Sequence, residues 1–295
     1  MTNTLNPYLS LMRLHQPVGT LLLLWPTLGA LWMVSDEQPT VVLIGVFTLG
    51  TIIMRAAGCV INDVADQKFD GQVQRTAQRP LATGAISTKN ALILCTTLAL
   101  SALVLLLFLN ALTRWLAVAG LAIVALYPFL KRWTYLPQVV LGAAFSWGIP
   151  MAFAAVGGTV PAVGWLLFIA SLLWIVAYDT MYAMVDRDED LKIGIRSTAI
   201  LFGSADRLMV GILQAAALVT FLLVGQQLDY QYYYFLGLAC AAGLFVYQQI
   251  LIRSREPENC FRAFTNNVWV GFSLFTGIVL EVHLAPLLTT LGTTL

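Results

Sequence analysis

Apolar runs of about twenty residues, each closed by a short polar stretch, repeat along almost the whole chain. A helix needs roughly 17 to 25 mostly apolar residues to cross the hydrocarbon layer of a bilayer. Nine stretches qualify, from Val18 to Val34, Thr40 to Ile61, Ala91 to Asn110, Leu112 to Leu130, Leu136 to Val156, Gly164 to Val185, Leu208 to Gly225, Tyr232 to Ile252 and Val268 to Leu288. The pattern predicts an all-α, polytopic membrane protein, a bundle of nine transmembrane helices forming one domain over residues 1–295. Pro26 and Pro150 fall inside spans, which a membrane helix tolerates when its neighbours satisfy the freed backbone groups. The opening MTNTLNPYLSLMRLHQP lacks the basic segment and small-residue cleavage site of a removable signal, so the first run is expected to remain a membrane helix.

Composition agrees with the pattern. Hydrophobic residues make up 59% of the chain and charged ones 11%, against about a quarter charged in ordinary soluble domains. The formal net charge of +1 supplies no field that would gather nucleic acid. What matters is where the charges sit. Of the 16 Lys and Arg residues, all but Arg55 and Arg114 fall in connections on one side of the nine predicted spans. The positive-inside rule makes that side cytoplasmic and puts the N-terminus there, with the C-terminus opposite. Connections on the far side are short and nearly uncharged, whereas two cytoplasmic ones are long, and long ordered loops are usually functional.

The first long segment reads NDVADQKFDGQVQRTAQRP from Asn62 to Pro80. If the second span continues as helix through its start, Asn62, Asp66 and Asp70 recur at every fourth position and share one face, with about 6 Å of rise between neighbours. Like charges on one stripe repel unless a cation occupies it. Oxygen-only ligands suit a hard ion, and magnesium held by a few carboxylates completes its shell with water and substrate phosphates. Arg75 and Arg79 follow as guanidiniums able to grip phosphate oxygens in pairs. Taken alone, the segment also fits a solvated acidic loop whose basic residues merely set topology.

A second segment, YDTMYAMVDRDEDLKIGIRSTAILFG from Tyr178, narrows that choice. Asp179, Asp186 and Asp190 again follow helical spacing. The interval from Asp63 to Asp179 equals that from Asp70 to Asp186, which hints at an internal duplication. Asp179 would lie within the bundle, where a carboxylate is costly and is a functional candidate by default. Two acidic faces at one membrane surface suit a diphosphate with magnesium on either side, an arrangement that eases departure of the leaving group.

These residues resemble a known family. RAAGCVINDVADQKFDG, RTAQRPLATG and the second acidic segment are similar to those of the 4-hydroxybenzoate polyprenyltransferases of the UbiA superfamily, and the likeness begins at LHQPVGTLLLLWPTLGALW near the N-terminus. The resemblance implies a nine-helix bundle around a central cavity under a cytoplasmic cap, in the bacterial inner membrane. It implies transfer of a polyprenyl group from a polyprenyl diphosphate to the ring carbon ortho to the hydroxyl of 4-hydroxybenzoate, an early step of ubiquinone synthesis, with Mg2+ as cofactor and membrane lipid as surroundings. The family's metal-binding positions correspond to Asn62, Asp66, Asp70, Asp186 and Asp190.

Other residues carry two readings each. Arg55 lies on the face of Asn62 two turns deeper, roughly 10 Å into the membrane. A guanidinium there needs an anion, either the carboxylate of the aromatic acid or an aspartate such as Asp179. Lys131 and Arg132 close the diphosphate site from their loop or serve topology alone, and the family's basic pair favours Arg132 as functional. Tyr127, Trp174, Tyr178 and Tyr182 offer π-faces to an allylic cation, although interfacial belts also collect aromatics; Tyr178 is the one taken as substrate-binding.

Rival functions leave less trace. His15 and His283 are the two histidines and lie toward opposite membrane faces, so no His-based metal site or Ser-His-Asp triad can be built. Cys59, Cys95, Cys240 and Cys260 show no paired spacing for zinc or disulfides. No P-loop segment occurs. Homogentisate, a naphthoate or haem remain alternative acceptors for the same chemistry. A secondary transporter is the alternative of another class, though its polar sites are expected at mid-membrane rather than at one surface.

Overall fold

The structure, a computed structural model, describes residues 6–35, 38–71, 76–130 and 132–292. Regular structure among them is helical throughout. A one-turn helix α1 (Pro7–Leu11), capped by the Asn6 side chain, precedes α2 (Val18–Val34) and the long α3 (Val41–Asp70). Next come α4 (Thr88–Leu105), α5 (Ala111–Leu130), α6 (Pro137–Ser146), α7 (Gly148–Gly157) and α8 (Ala162–Val185). Two short cap helices, α9 (Arg187–Ile193) and α10 (Thr198–Phe202), lead into α11 (Asp206–Gln227), α12 (Tyr232–Leu251) and α13 (Pro257–Gly292).

Eight helical stretches among the described residues are long and apolar enough to cross a membrane. The remaining predicted span is the helix α5, whose apolar part, Ala111–Tyr127, is at the lower end of the crossing length. It packs along α6, α7 and α3 as a member of the bundle. The fifth predicted span is present as one stretch, Pro137–Gly157, interrupted at Trp147, whose backbone stays right-handed helical at φ −66 and ψ −20, between α6 and α7 of 10 residues each. Pro150 explains the break, because it has no N–H to donate to the carbonyl of Ser146, the last residue of α6. At the break the Trp147 indole donates to the Leu116 carbonyl at 2.7 Å, and Gly148 lets α7 approach Thr27 of α2 so closely that a Cβ would collide with it.

Position in the bundle follows burial. The central helix is α8, most of whose residues are buried, whereas α4 is at the periphery and presents Leu100, Leu103 and Val104 outward. Trp174, Ile175 and Tyr178 of α8 anchor the main core with Leu31, Ile149, Phe221, Tyr234 and Val270 from α2, α7, α11, α12 and α13. Several polar side chains inside this apolar setting are paired. Gln214, Gln248, Gln249 and Asn266 form a hydrogen-bonded chain across α11, α12 and α13, and Asn267 accepts the Trp174 indole N–H at 2.8 Å. Glu281 of α13, 4% exposed, accepts backbone N–H groups of Gln231, Tyr233 and Tyr234 and so caps the start of α12.

Candidate active site

At the end of the bundle where the long polar connections lie, a cavity of ≈ 710 Å³ opens between α2, α3, α6, α8 and α13. The two acidic segments meet in its wall. Asn62 and Asp66 enter from α3, Asp179 from α8, Asp186 from the joint between α8 and α9, and Asp190 from α9. Deeper, the lining turns apolar and aromatic through Leu22, Leu141, Phe145, Tyr178, Tyr182 and Phe264. An anionic rim therefore sits over an oily interior, which suits a molecule with a charged head and a hydrocarbon tail.

Local folding produces this arrangement. Because α3 runs unbroken to Asp70, Arg55, Asn62 and Asp66 fall along one helical stripe. On the opposite wall α8 stops at Asp186, whose backbone leaves the helical region at φ −100 and ψ 6. The Asp186 carbonyl then accepts the N–H groups of Glu189 and Asp190, starting α9 in a new direction. Gly194, at φ 73, ends α9 in the left-handed conformation that glycine adopts without strain. The cap is stitched to the bundle by the Gln138 side chain, which accepts the Thr198 N–H at 3.0 Å, and by the Thr180–Thr198 hydroxyl pair at 2.8 Å.

Positive charge at the rim is organised by a residue behind it. Asp63, 1% exposed, receives Arg13 at 2.7 Å and Arg79 at 3.1 Å, and both arginines line the cavity while Asp63 does not. Arg13, read from sequence as a topology signal only, thus joins the site, and Asp63 acts as its anchor. The signal was available in the doubled Asn62-Asp63 start of the motif, but an aspartate pointing off the ligand face looks idle until its partners are known.

Arg55 lies deeper, as its spacing predicts. One η-nitrogen donates to the Cys59 sulfur, its Nε is buried without a partner, and no ion pair with Asp179 forms among the described residues. Its guanidinium packs over Gly19, where a Cβ would collide with it. Tyr178 is buried against Trp174 and Phe264, and its hydroxyl finds no partner. Arg132 stands beside the cavity rather than in its wall, donating to the Ala65 carbonyl at 2.6 Å. Arg75 and Lys131 lie outside the described residues, as does the side chain of Asp70.

Asp66, Asp186, Asp190 and Asn62 are hard oxygen donors gathered beside two guanidiniums, and this set fits magnesium with a diphosphate. Among the described residues no three His, Cys, Asp or Glu side chains would enclose a metal ion by themselves.

Fold and cavity together define an α-helical integral membrane protein built around a chamber with a polar rim and an apolar interior. The family model for UbiA prenyltransferases matches residues 23–275, and the chain belongs to that family. It is 57% identical over 276 residues to the 4-hydroxybenzoate octaprenyltransferase of Tolumonas auensis, covering 93% of this chain and 96% of that one. It is 56% identical to the protein of the same name from Coxiella burnetii, over 92% of this chain and 95% of the relative. Among solved structures, a UbiA homolog from Aeropyrum pernix superposes with a TM-score of 0.78 at 24% identity, covering 90% and 98% of the two chains. A homolog from Archaeoglobus fulgidus, solved with GPP and Mg2+, gives 0.68 at 19% identity, over 92% and 99%. At those identities the structural matches establish the fold.

Proposed function

We propose that this protein transfers a polyprenyl group from its diphosphate to the ring carbon ortho to the hydroxyl of 4-hydroxybenzoate, with Mg2+, in the route to ubiquinone. The observation that carries the reading is the identity of 56% or more, over nearly the full length, to proteins named for that reaction. Their names support an eight-unit tail. The site lies at the cytoplasmic face of the bacterial inner membrane, because the basic connections gather at the cavity's end.

The chain's residues divide the task by depth. Asn62, Asp66, Asp70, Asp186 and Asp190 would hold Mg2+, which when bound neutralises charge gathering on the departing diphosphate. Arg13 and Arg79 grip phosphate oxygens, with Arg75, Lys131 and Arg132 adding positive charge from the neighbouring loops. Breaking the C–O bond leaves diphosphate and an allylic cation; the apolar walls exclude water from that cation, and the faces of Tyr178, Tyr182 and Phe264 stabilise it. Arg55 and Asp179 each lie two turns below the rim, roughly 10 Å from it. At that depth Arg55 takes the carboxylate of the acid and Asp179 accepts a hydrogen bond from its phenol, which enriches the ring for attack through the ortho carbon. The ring then gives up its proton to the released diphosphate and regains aromaticity.

Purified protein incubated with 4-hydroxybenzoate and octaprenyl diphosphate should form the prenylated acid, and a chelator should abolish the product. Parallel reactions with homogentisate and a naphthoate test the acceptor. A larger yield from either of them, or turnover unaffected by chelator, would overturn the reading.

A further inference from the structure

The second acidic segment is held from behind in a way its own packing does not provide. No residue of α9 is buried, so apolar contact does little to fix the helix that carries Asp190. Its first residue, Arg187, follows Asp186 directly and points away from the cavity. There its Nη1 meets Asp206 Oδ2 at 2.9 Å. Asp206, the first residue of α11, is 0% exposed. Its other oxygen accepts the Arg207 backbone N–H at 2.6 Å and the Arg255 Nη2 at 2.8 Å. Arg255 comes from the turn between α12 and α13 and keeps a φ of 57, a conformation that costs a non-glycine residue. A further bond from its Nη2 to the Ser204 carbonyl at 2.8 Å helps hold it there, and the hydrogen bonds to Asp206, with its charge, raise the pKa of the guanidinium above the ordinary arginine value.

We infer that Asp206 and Arg187 are positioning residues: the buried carboxylate pins the first turn of α9 to α11 and thereby fixes where Asp190 stands relative to Asp186. This rests on the proposed role of those two aspartates in holding the metal and diphosphate. Rotation of α9 about the Asp186 joint would move Asp190 while leaving Asp186 in place, and the Arg187–Asp206 strut opposes that rotation. Arg255 makes a comparable bond to the same carboxylate but is not attached to α9, which separates positioning from general support.

The test compares Arg187→Gln, Arg187→Lys and Arg255→Gln in the full-length, detergent-purified protein. Mn2+ binding in the presence of inorganic pyrophosphate, followed by electron paramagnetic resonance, gives a readout independent of turnover. Arg187→Gln should weaken Mn2+ binding and raise the KM for octaprenyl diphosphate by about tenfold, as loss of residues supporting metal ligands does. The KM for 4-hydroxybenzoate should stay within about twofold, because its site lies deeper. Arg187→Lys, which keeps the single charged bond, should recover most of the loss, and Arg255→Gln should shift neither constant by more than about threefold. Equal effects of the two glutamine variants, unchanged Mn2+ binding in Arg187→Gln, or Arg187→Lys as impaired as Arg187→Gln would overturn the inference. If the wild type neither binds Mn2+ with pyrophosphate nor transfers a prenyl group, the parent reading falls instead.

Discussion

Single side chains separate the two halves of the site. The collision built in at Gly19 involves the far end of Arg55 and no backbone, so a larger residue there displaces the guanidinium without obstructing the path of α2. Gly19→Val should therefore raise the KM for 4-hydroxybenzoate by about tenfold, equivalent to about 1.4 kcal/mol of binding, and leave the KM for the prenyl diphosphate nearly unchanged. Steady-state kinetics with each substrate varied would check this, and equal rises in both constants would remove Arg55 from the acceptor's site. Asp63→Asn makes the converse case. Its carboxylate holds Arg13 and Arg79 together, and those arginines are 21% and 16% exposed, so they keep access to water once released. The expected result is a raised KM for the diphosphate substrate with acceptor binding intact.

Helices show what the sequence could and could not express. Hydrophobic run length located the spans, and the four-residue spacing of Asn62 and Asp66 does place them on one face of α3. The single helical face expected for Asp179, Asp186 and Asp190 does not form, because α8 ends at Val185 and Asp190 rides on α9, yet Asp186 and Asp190 still line the same cavity. The break at Trp147 was hidden because Pro150 alone does not say whether a membrane helix kinks or stops; Gly148 against Thr27 decides that only once α2 is in place. Arg13 and Asp63 escaped notice for a similar reason, since an ion pair across 50 positions has no local signature. The glutamine and asparagine chain across α11, α12 and α13 was equally silent. Gln248→Leu removes its centre, leaving the amide of Gln214 and the carbonyl of Asn266 without their bonds to it. Since intramembrane hydrogen bonds average about 0.6 kcal/mol and reach about 1.7, the variant should lose roughly 1 kcal/mol in reversible detergent unfolding while retaining activity. A loss of activity at unchanged stability would show that the chain serves the site.

At the scale of the whole molecule, orientation links the fold to its supply of substrates. A charged diphosphate and an aromatic acid reach the rim only from the aqueous phase it faces, while the hydrocarbon tail belongs to the bilayer. The rim lies at the end where Arg79, Arg187, Arg196 and Arg255 emerge, and the connections at the opposite end carry one basic residue, Arg114, with the acidic Asp36, Glu37 and Asp229. The bias in positive charge therefore predicts that the cavity opens to the cytoplasm. Thr159 is exposed in the far connection between α7 and α8, and Ala85 is exposed in the near connection before α4. Cysteines placed there report the two sides separately. The native Cys59 and Cys260 are buried, Cys95 is half-buried and Cys240 is exposed, the last two on membrane-spanning helices away from the aqueous connections. Thr159→Cys should react with a membrane-impermeant maleimide in spheroplasts with an intact inner membrane, whereas Ala85→Cys should react only after that membrane is permeabilised. The reverse labelling pattern would put the diphosphate site on the outer face, away from cytoplasmic pools of both substrates, and the proposed role in ubiquinone synthesis would fail with it.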